Sequence, residues 1–240
     1  IVSRPCGSST TSANATLTVN EKPEISTQPL AQNITYGDNA SFTSAATGEG
    51  PLTYQWQVNT GSGFANISLS GIYADTDSDP KTLEIALPPV SMSGYIYRVV
   101  VSGACSPTAE SEGATLTVTP KSLTPVIVAD DKIYNGNTTA ILSSQTLTGV
   151  VGLDEVSLVV GSANFANANV GTWTVTASGL TLDGAQSGNY VLSSLTATDD
   201  AEITPKSLTP VIVADDKVYD GNTTATLSQQ NLRAHLRTSN

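Results

Sequence analysis

Asp75, Asp77 and Asp79 are the residues whose type and spacing come nearest to a ligand set for a hard cation. Alternate acids in one loop could converge on Ca²⁺, which takes about six to eight oxygen ligands. An EF-hand loop beginning at Asp75 would need Gly at its sixth position and Glu at its twelfth, where Pro80 and Ala86 stand. Two hypotheses remain: a solvated acidic loop, which we favour, and a calcium site completed by acids of a neighbouring module.

The sequence offers little else for catalysis. It contains one His and two Cys, and it has no Cys-x-x-Cys, His-Glu-x-x-His or phosphate-binding Gly-rich signature. A Ser-His-Asp triad would have to use His235, which lies outside the repeated pattern described below. No acid pair stands out as a carboxylate pair for glycoside hydrolysis. We therefore expect a non-enzymatic protein without an organic cofactor.

Cysteines and paired acids each leave two interpretations. Cys6 and Cys105 occupy equivalent places in successive modules, whose radius of about 13 Å separates them beyond the roughly 7 Å that a disulfide allows. Each is then a remnant of a pair within its own hairpin or a free thiol. The acid pairs Asp130-Asp131, Asp199-Asp200 and Asp215-Asp216 read as charge that protects edge strands, or as ligands for a cation bridging a joint.

The net charge of −11 restricts the partners. Nucleic acid binding depends on Lys and Arg displacing counterions, and an anionic membrane surface repels an acidic protein. No run of about 20 apolar residues is present, so we expect no membrane insertion. The first residues, Ile1-Val2-Ser3-Arg4, do not resemble a signal peptide.

Internal repeats organise the chain. Thr119–Leu142 recurs as Thr204–Leu227 with three differences, and Ile1–Val19 aligns with Val100–Val118. The repeat register is lost after Leu232. The predicted division is a C-terminal remnant of a preceding module at 1–19, a complete module at 20–118, a complete module of a second type at 119–203, the truncated start of another at 204–232, and an out-of-pattern tail at 233–240. The incomplete ends lack the strands that would cover their apolar faces.

Both complete modules are predicted to be all-β. Segments that alternate with period two include 53–58, 83–87, 95–101 and 172–176, and Gly- and Asn-rich turn signals separate them. Short strands at this spacing predict tandem β-sandwich modules, incomplete at both ends of the chain. The resemblance described next implies that these β-sandwich modules are immunoglobulin-like.

The first complete module resembles an immunoglobulin-like domain, most closely the repeats of large surface proteins of Bacteroidetes-type bacteria. Phe42 to Gly48 stands where such domains have their second strand, and Trp56 stands where they bury a Trp on the third. The resemblance implies that Tyr97 is the corner tyrosine. It also places Ser44 and Val99 where antibody domains have the two cysteines, so the inter-sheet disulfide is absent.

The second module is similar to the bacterial repeat with a Tyr-Asp-Gly signature, found in filamentous-haemagglutinin-like adhesins. Lys217–Ala225 reads KVYDGNTTA, and Lys132–Ala140 reads KIYNGNTTA. Further matches follow in order, at Val170-Gly171-Thr172, Gly179–Leu182, Gly188-Asn189-Tyr190 and Ala201–Lys206. The resemblance implies an extracellular array of modules and names no ligand.

These observations predict a non-catalytic structural or adhesive stalk of a secreted bacterial cell-surface protein. Its partners would be neighbouring modules of the same chain and host or environmental glycans or proteins. The alternative is a carbohydrate-binding accessory region of a secreted polysaccharide-active enzyme, which would need an exposed aromatic platform. Alternation instead places most of the candidate aromatics in the core; they are Tyr54, Trp56, Tyr97, Trp173 and Tyr190.

Overall fold

The computed structural model describes residues 11–17, 20–75 and 81–234, with the backbone alone for 230–234. The chain divides into two compact units, Ile1–Lys121 and Ser122–Asn240. Apart from two 3-10 turns, Val90–Met92 and Ser187–Asn189, the regular structure of the described residues is β. No helix in this part of the chain is long and apolar enough to cross a membrane.

Two sheets build the first unit. Its strands are β1 (Glu24–Thr27), β2 (Gln32–Thr35), β3 (Ala40–Thr47), β4 (Thr53–Asn59), β5 (Phe64–Asn66), β6 (Tyr73–Asp75), β7 (Lys81–Ile85), β8 (Ile96–Ser102), β9 (Ala109–Glu110) and β10 (Ala114–Thr119). One sheet has the order β1-β3-β7-β6, and the other has the order β2-β10-β8-β4-β5, with β9 pairing β8. This is the two-sheet arrangement of an immunoglobulin-like sandwich. The predicted fold class is confirmed.

The start of the first unit is shared between its two sheets. β1 pairs antiparallel with β3, while β2 pairs parallel with the last strand, β10, over Gln32–Thr35. The backbone of Tyr36 then donates its N–H to the Thr119 carbonyl at 2.9 Å. The first and last strands of the unit are therefore bonded directly to each other.

Period-two alternation supplies the core of the first unit. In β3 the inward positions, which include Phe42 and Ser44, are buried between exposed or half-buried neighbours. Trp56 and Val99 are likewise buried, as the immunoglobulin-like pattern predicts. The Ser44 hydroxyl donates to the Thr27 carbonyl at 2.9 Å, so the residue in the place of a cysteine bonds β3 to β1.

Tyr97 lies at the centre of this core and is fully buried. Its ring stacks on Phe42 with centroids 4.8 Å apart. Its hydroxyl lies 3.4 Å from that of Tyr73, which belongs to the opposite sheet. Burial raises the pKa of the Tyr97 hydroxyl above its ordinary value, and the Tyr73 hydroxyl adds to the rise. Tyr97 therefore joins the two sheets through a hydrogen bond between two tyrosine hydroxyls.

The second unit repeats this plan with other sequences. Its strands are β11 (Lys121–Ala129), β12 (Lys132–Ile133), β13 (Leu142–Thr148), β14 (Ser157–Val159), β15 (Ser162–Phe165), β16 (Gly171–Ser178), β17 (Thr181–Asp183), β18 (Tyr190–Leu192) and β19 (Thr196–Thr204). The sheets have the orders β13-β11-β18, β12-β19-β16-β15 and β14-β17. β12 pairs parallel with β19, and the Tyr134 N–H donates to the Thr204 carbonyl at 2.9 Å. Again the start of the unit is bonded to its last strand.

An apolar cluster fills the second unit. Its buried members come from β11, from β14 to β16, from β19 and from the turn before β17, and they include Ile127, Leu158, Phe165, Val175, Leu180 and Ile203. A turn follows β17 at Gly184. A Cβ at Gly184 would collide with the Glu155 carbonyl, and its φ of 111° also favours glycine.

A separate hairpin follows, formed by β20 (Leu208–Ala214) and β21 (Leu227–Ala234). Its sequence copies β11 and β13, and both hairpins have a register shift at the same place, Val128/Ala129 and Val213/Ala214. Their surroundings differ. Leu123 is fully buried, whereas its copy Leu208 is 50% exposed.

This contrast gives a matched pair of substitutions. Leu123→Ala should lower the free energy of unfolding of the second unit by about 2–5 kcal/mol, because it leaves a cavity in a packed core. Leu208→Ala should change it by no more than about 0.5 kcal/mol. Denaturant unfolding of the full chain in a Trp56→Phe background, with Trp173 as the fluorescent reporter, measures both. Equal effects of the two substitutions would contradict the structure.

Candidate functional site

The acidic loop is described at one of its three candidate positions. Asp75 ends β6, and its Oδ2 lies 3.1 Å from the Lys81 Nζ on β7. Asp77 and Asp79 lie outside the described residues. Within the described ranges, no three His, Cys, Asp or Glu side chains are grouped so that they could hold a metal ion. The Asp75 carboxylate already has a cationic partner of the chain's own.

The Tyr-Asp-Gly-type motif of the second unit, Lys132–Ala140, forms a loop, called the signature loop here. This loop is organised around Lys132. The Nζ of this residue donates to the Asn137 carbonyl at 2.7 Å, to Asn137 Oδ1 at 3.0 Å and to the Thr139 carbonyl at 3.0 Å. An ammonium has three protons to donate, so these acceptors use its whole capacity. Asn137 Oδ1 also accepts the Thr139 N–H. Lys132 is therefore a clamp that holds a turn.

The second copy of the loop shows the same clamp with an added charge. Lys217 Nζ donates to the Asn222 carbonyl at 2.9 Å, to Asn222 Oδ1 at 2.8 Å and to Asp220 Oδ1 at 2.7 Å. The Lys217 ammonium, together with the Asn222 N–H, holds the pKa of the Asp220 carboxyl below its usual range. A lowered folded-state pKa adds stability above the unfolded pKa, and this stability is lost as the pH falls through the folded value.

The sequence analysis assigned no role to Lys132 and Lys217, although both belong to the signature. A usable signal was present, because Lys and Asn stand five residues apart in both copies, at Lys132/Asn137 and Lys217/Asn222. An ammonium whose three protons are all donated to oxygens of its own loop has none left to donate to a substrate. The motif therefore reads as a structural turn.

The paired acids act as hydrogen-bond acceptors for the backbone. Asp131 Oδ1 accepts the Glu202 N–H at 2.6 Å, and Asp199 Oδ2 accepts the Ala129 N–H at 2.9 Å. Since β11 and β19 belong to different sheets, Asp199 joins the sheets at the register shift in β11. Asp200 points the other way and accepts the Thr174 hydroxyl. Neither predicted interpretation, edge charge or a bridging cation, had included this use.

The candidate aromatic residues are mostly inside. Trp56, Tyr97 and Tyr190 are buried, and Tyr54 and Trp173 are half-buried. Polar groups of the chain engage them: the Tyr190 hydroxyl donates to Asp154 Oδ2 at 2.6 Å, and the Trp173 Nε1–H donates to the Asn169 carbonyl at 2.8 Å. The five do not form an exposed row.

One of the two cysteines lies in the part of the chain that the structure describes. Cys105 is a half-buried free thiol. Cys6 and His235 lie outside the described residues. For Cys6, the two alternatives of a remnant of a pair within its own hairpin and a free thiol both stay predictions.

Part of the chain matches a known protein family. Residues 119–197 match the YDG domain family. They are fewer than half of the chain. No curated protein matches it.

Solved structures that resemble the chain are immunoglobulin-like domains. Titin domain M7 is 26% identical, with 42% of this chain and 98% of that one covered and a TM-score of 0.37. Titin M4 is 24% identical over 42% of this chain and all of that one, with the same TM-score. The Ig1-2 module of the Drosophila receptor protein tyrosine phosphatase DLAR is 16% identical, with 77% and 99% covered and a TM-score of 0.36. The fold assignment depends on the strand order of the sheets and not on these similarities.

Adjacent acids on β19 test the role of Asp199. Asp199→Ala should cost about 1–3 kcal/mol, because it leaves the half-buried Ala129 N–H without its acceptor. Asp200→Ala should cost no more than about 0.5 kcal/mol, since Asp200 is exposed. Thermal unfolding of both variants measures the difference, and Asp199→Asn, which keeps one acceptor oxygen, should recover part of the loss. Equal costs would remove the inter-sheet role.

Calcium addition tests the acidic loop. We expect the unfolding temperature of the full chain to be the same in millimolar Ca²⁺ and in excess chelator, because Asp75 is already paired with Lys81. Binding at 100-fold excess over the dissociation constant would add about 2.7 kcal/mol and would raise the temperature clearly. A rise that Asp77→Asn and Asp79→Asn abolish would establish the calcium site instead.

Proposed function

We propose that this chain is a non-catalytic stalk region, with a structural and adhesive role, of a secreted bacterial cell-surface protein. The observation that carries the proposal is the parallel pairing of the start of each unit with its last strand, β2 with β10 and β12 with β19. Two units of unlike sequence share this closure. It suits a protein that must hold under tension.

The mechanical argument follows from strand direction. The chain enters each unit through a strand of the other sheet, β1 or β11, then forms the parallel pair, and leaves the unit at the end of the last strand. When two parallel strands are pulled by opposite ends, their hydrogen bonds are loaded in shear and must break together. An antiparallel pair pulled from one end would open bond by bond. The parallel pair therefore gives each unit a higher resistance to force along the chain.

The use of polar groups also supports a passive role. The lysines of the signature loops, the acids near β11 and β19, and the buried tyrosines bond to other groups of the same unit. Groups satisfied in this way hold the fold and are not available for general acid–base work. The excess of 21 acidic over 10 basic residues supports solubility at the high local concentration of a surface array.

An extracellular place for the stalk rests on the resemblance of the repeats and on composition. The partners that fit are neighbouring modules of the same chain and host or environmental surface glycans or proteins. Nucleic acid remains a poor partner for a net charge of −11. The burial of Trp56, Tyr97 and Tyr190 argues against a stacked sugar-binding platform, the feature that a carbohydrate-binding accessory region needs.

Single-molecule pulling of the full chain tests the proposal. We expect separate rupture events, one for each unit, with about 100 residues and about 30 nm of length released in each at about 3.4 Å per residue. Tyr36→Pro should lower the rupture force of the first unit alone, and Tyr134→Pro that of the second alone, because proline removes the backbone N–H that bonds to the last strand. Each variant is the control for the other.

Two outcomes would contradict a stalk. One is rupture at forces no higher than those of an unstructured linker. The other is tight binding of a single glycan class on a carbohydrate array by the unmodified chain, lost on substitution of exposed aromatics, which would favour the accessory-region alternative.

A further inference from the structure

The two signature loops differ in the residue that precedes their shared glycine. Asn135-Gly136 stands in the first loop, and Asp220-Gly221 stands at the same place in the second. Both glycines have a φ of 80°, and nothing lies within 4 Å of a Cβ built at either. Asn135 and Gly136 are both exposed. The first loop therefore presents an Asn-Gly pair to water.

Asn-Gly is the pair in which an asparagine side chain most readily cyclises. The backbone nitrogen of Gly136 would attack the side-chain Cγ of Asn135, which forms a C–N bond and expels the amide nitrogen as ammonia. Water then opens the succinimide ring. Opening at one carbonyl gives aspartate, and opening at the other gives isoaspartate. The reaction needs water and no oxidant or enzyme.

The loop leaves the attacking group accessible. Within the described part of the chain, the Gly136 N–H has no hydrogen-bond acceptor. Gly136 has no side chain to shield its nitrogen. The Asn137 N–H donates to Asn135 Oδ1 at 3.3 Å, which draws electron density from the amide carbon under attack.

The second loop shows where the aspartate product would go. Asp220 Oδ1 accepts the Lys217 ammonium at 2.7 Å and the Asn222 N–H at 3.1 Å, while Oδ2 accepts the Asn222 side-chain amide at 2.8 Å. Lys132 stands at the same spacing before Asn135 and is already held over the turn by Asn137. We propose that Asn135 is a site of spontaneous deamidation, and that its aspartate product takes the place of the Thr139 carbonyl on Lys132, so that it pairs with Lys132 as Asp220 pairs with Lys217.

The product should resist the return reaction. Cyclisation of an aspartate proceeds through its protonated carboxyl, and the ammonium that lowers the pKa of Asp220 would keep the new carboxylate ionised in the same way. Asp130 and Asp131 also line this part of the surface and oppose an added negative charge. The second copy has Asp215 and Asp216 at the equivalent places and forms its ion pair nonetheless.

Peptide mapping of the aged chain tests the modification. The full chain is held in warm, mildly alkaline buffer, sampled over days, digested and analysed by mass spectrometry with fragmentation that separates aspartate from isoaspartate. Conversion should appear first at Asn135, and at least tenfold faster than at Asn137 and Asn222, which precede threonine in the same loops. Conversion at Asn135 no faster than at those two would overturn the proposal, and so would isoaspartate as the sole product.

Asn135→Asp tests the pairing separately. In the full chain, the introduced carboxyl should titrate below the ordinary range for aspartate by NMR, and Lys132→Met should return it to that range. Asp220 with Lys217→Met is the internal reference for the size of the shift. An introduced carboxyl that titrates at the ordinary aspartate value, while Asp220 stays shifted, would show that the product does not join the clamp.

Discussion

Closure of each unit by a parallel pair between its start and its end is the constraint on which the rest of the structure depends. A strand that begins in one sheet and finishes in the other must find backbone partners in both, since unpaired N–H and C=O groups inside a sandwich are costly. β1 and β2 achieve this in the first unit, and β11 and β12 in the second. The tyrosine after each crossing then bonds to the threonine that ends the last strand. The place at which the chain leaves a unit is thereby fixed relative to its start.

Polar residues in both units serve this closure. In the second unit, Asp199 accepts a backbone proton where β11 loses its regular register, and Asp131 accepts another from β19. The Lys132 ammonium then donates to the Thr139 carbonyl and so holds the following loop in a turn. The crossing, the last strand and the signature loop are joined by charged side chains, whose hydrogen bonds are stronger than those between neutral groups. The Lys-Asn pair of the signature therefore holds the turn that follows β12.

The immunoglobulin-like unit has replaced its disulfide by ordinary packing. Ser44 bonds to β1, Val99 fills the opposite position, and Tyr97 joins the sheets through Phe42 and Tyr73. A disulfide stabilises a protein mainly by restricting its unfolded chain. Here the inter-sheet contact is made by an aromatic stack and a hydroxyl pair, which need no oxidising step.

The sequence by itself determined the β character, the residues that face inward and the turns. Alternation in 53–58 and 95–101 places Trp56, Tyr97 and Val99 on one side of their strands, and a side-chain period of two leaves no choice of face once one member is buried. It also contained the lysine clamp, which is local. It could not supply the pairing of Asp199 with Ala129, because those residues are 70 positions apart and meet only after two sheets have packed.

Tertiary structure alone decided which copy of the repeated segment is buried. Leu123 and Ile127 are buried, while Leu208 and Ile212, in the same ten-residue sequence, are 50% and 67% exposed. Identical local preferences produce the same hairpin with the same register shift in both places. Burial depends on what packs against the hairpin, and in the described residues β18 lies beside β11 whereas β20 has β21 alone. Local sequence forms the strands, and the hydrophobic effect acts only where distant residues come to cover them.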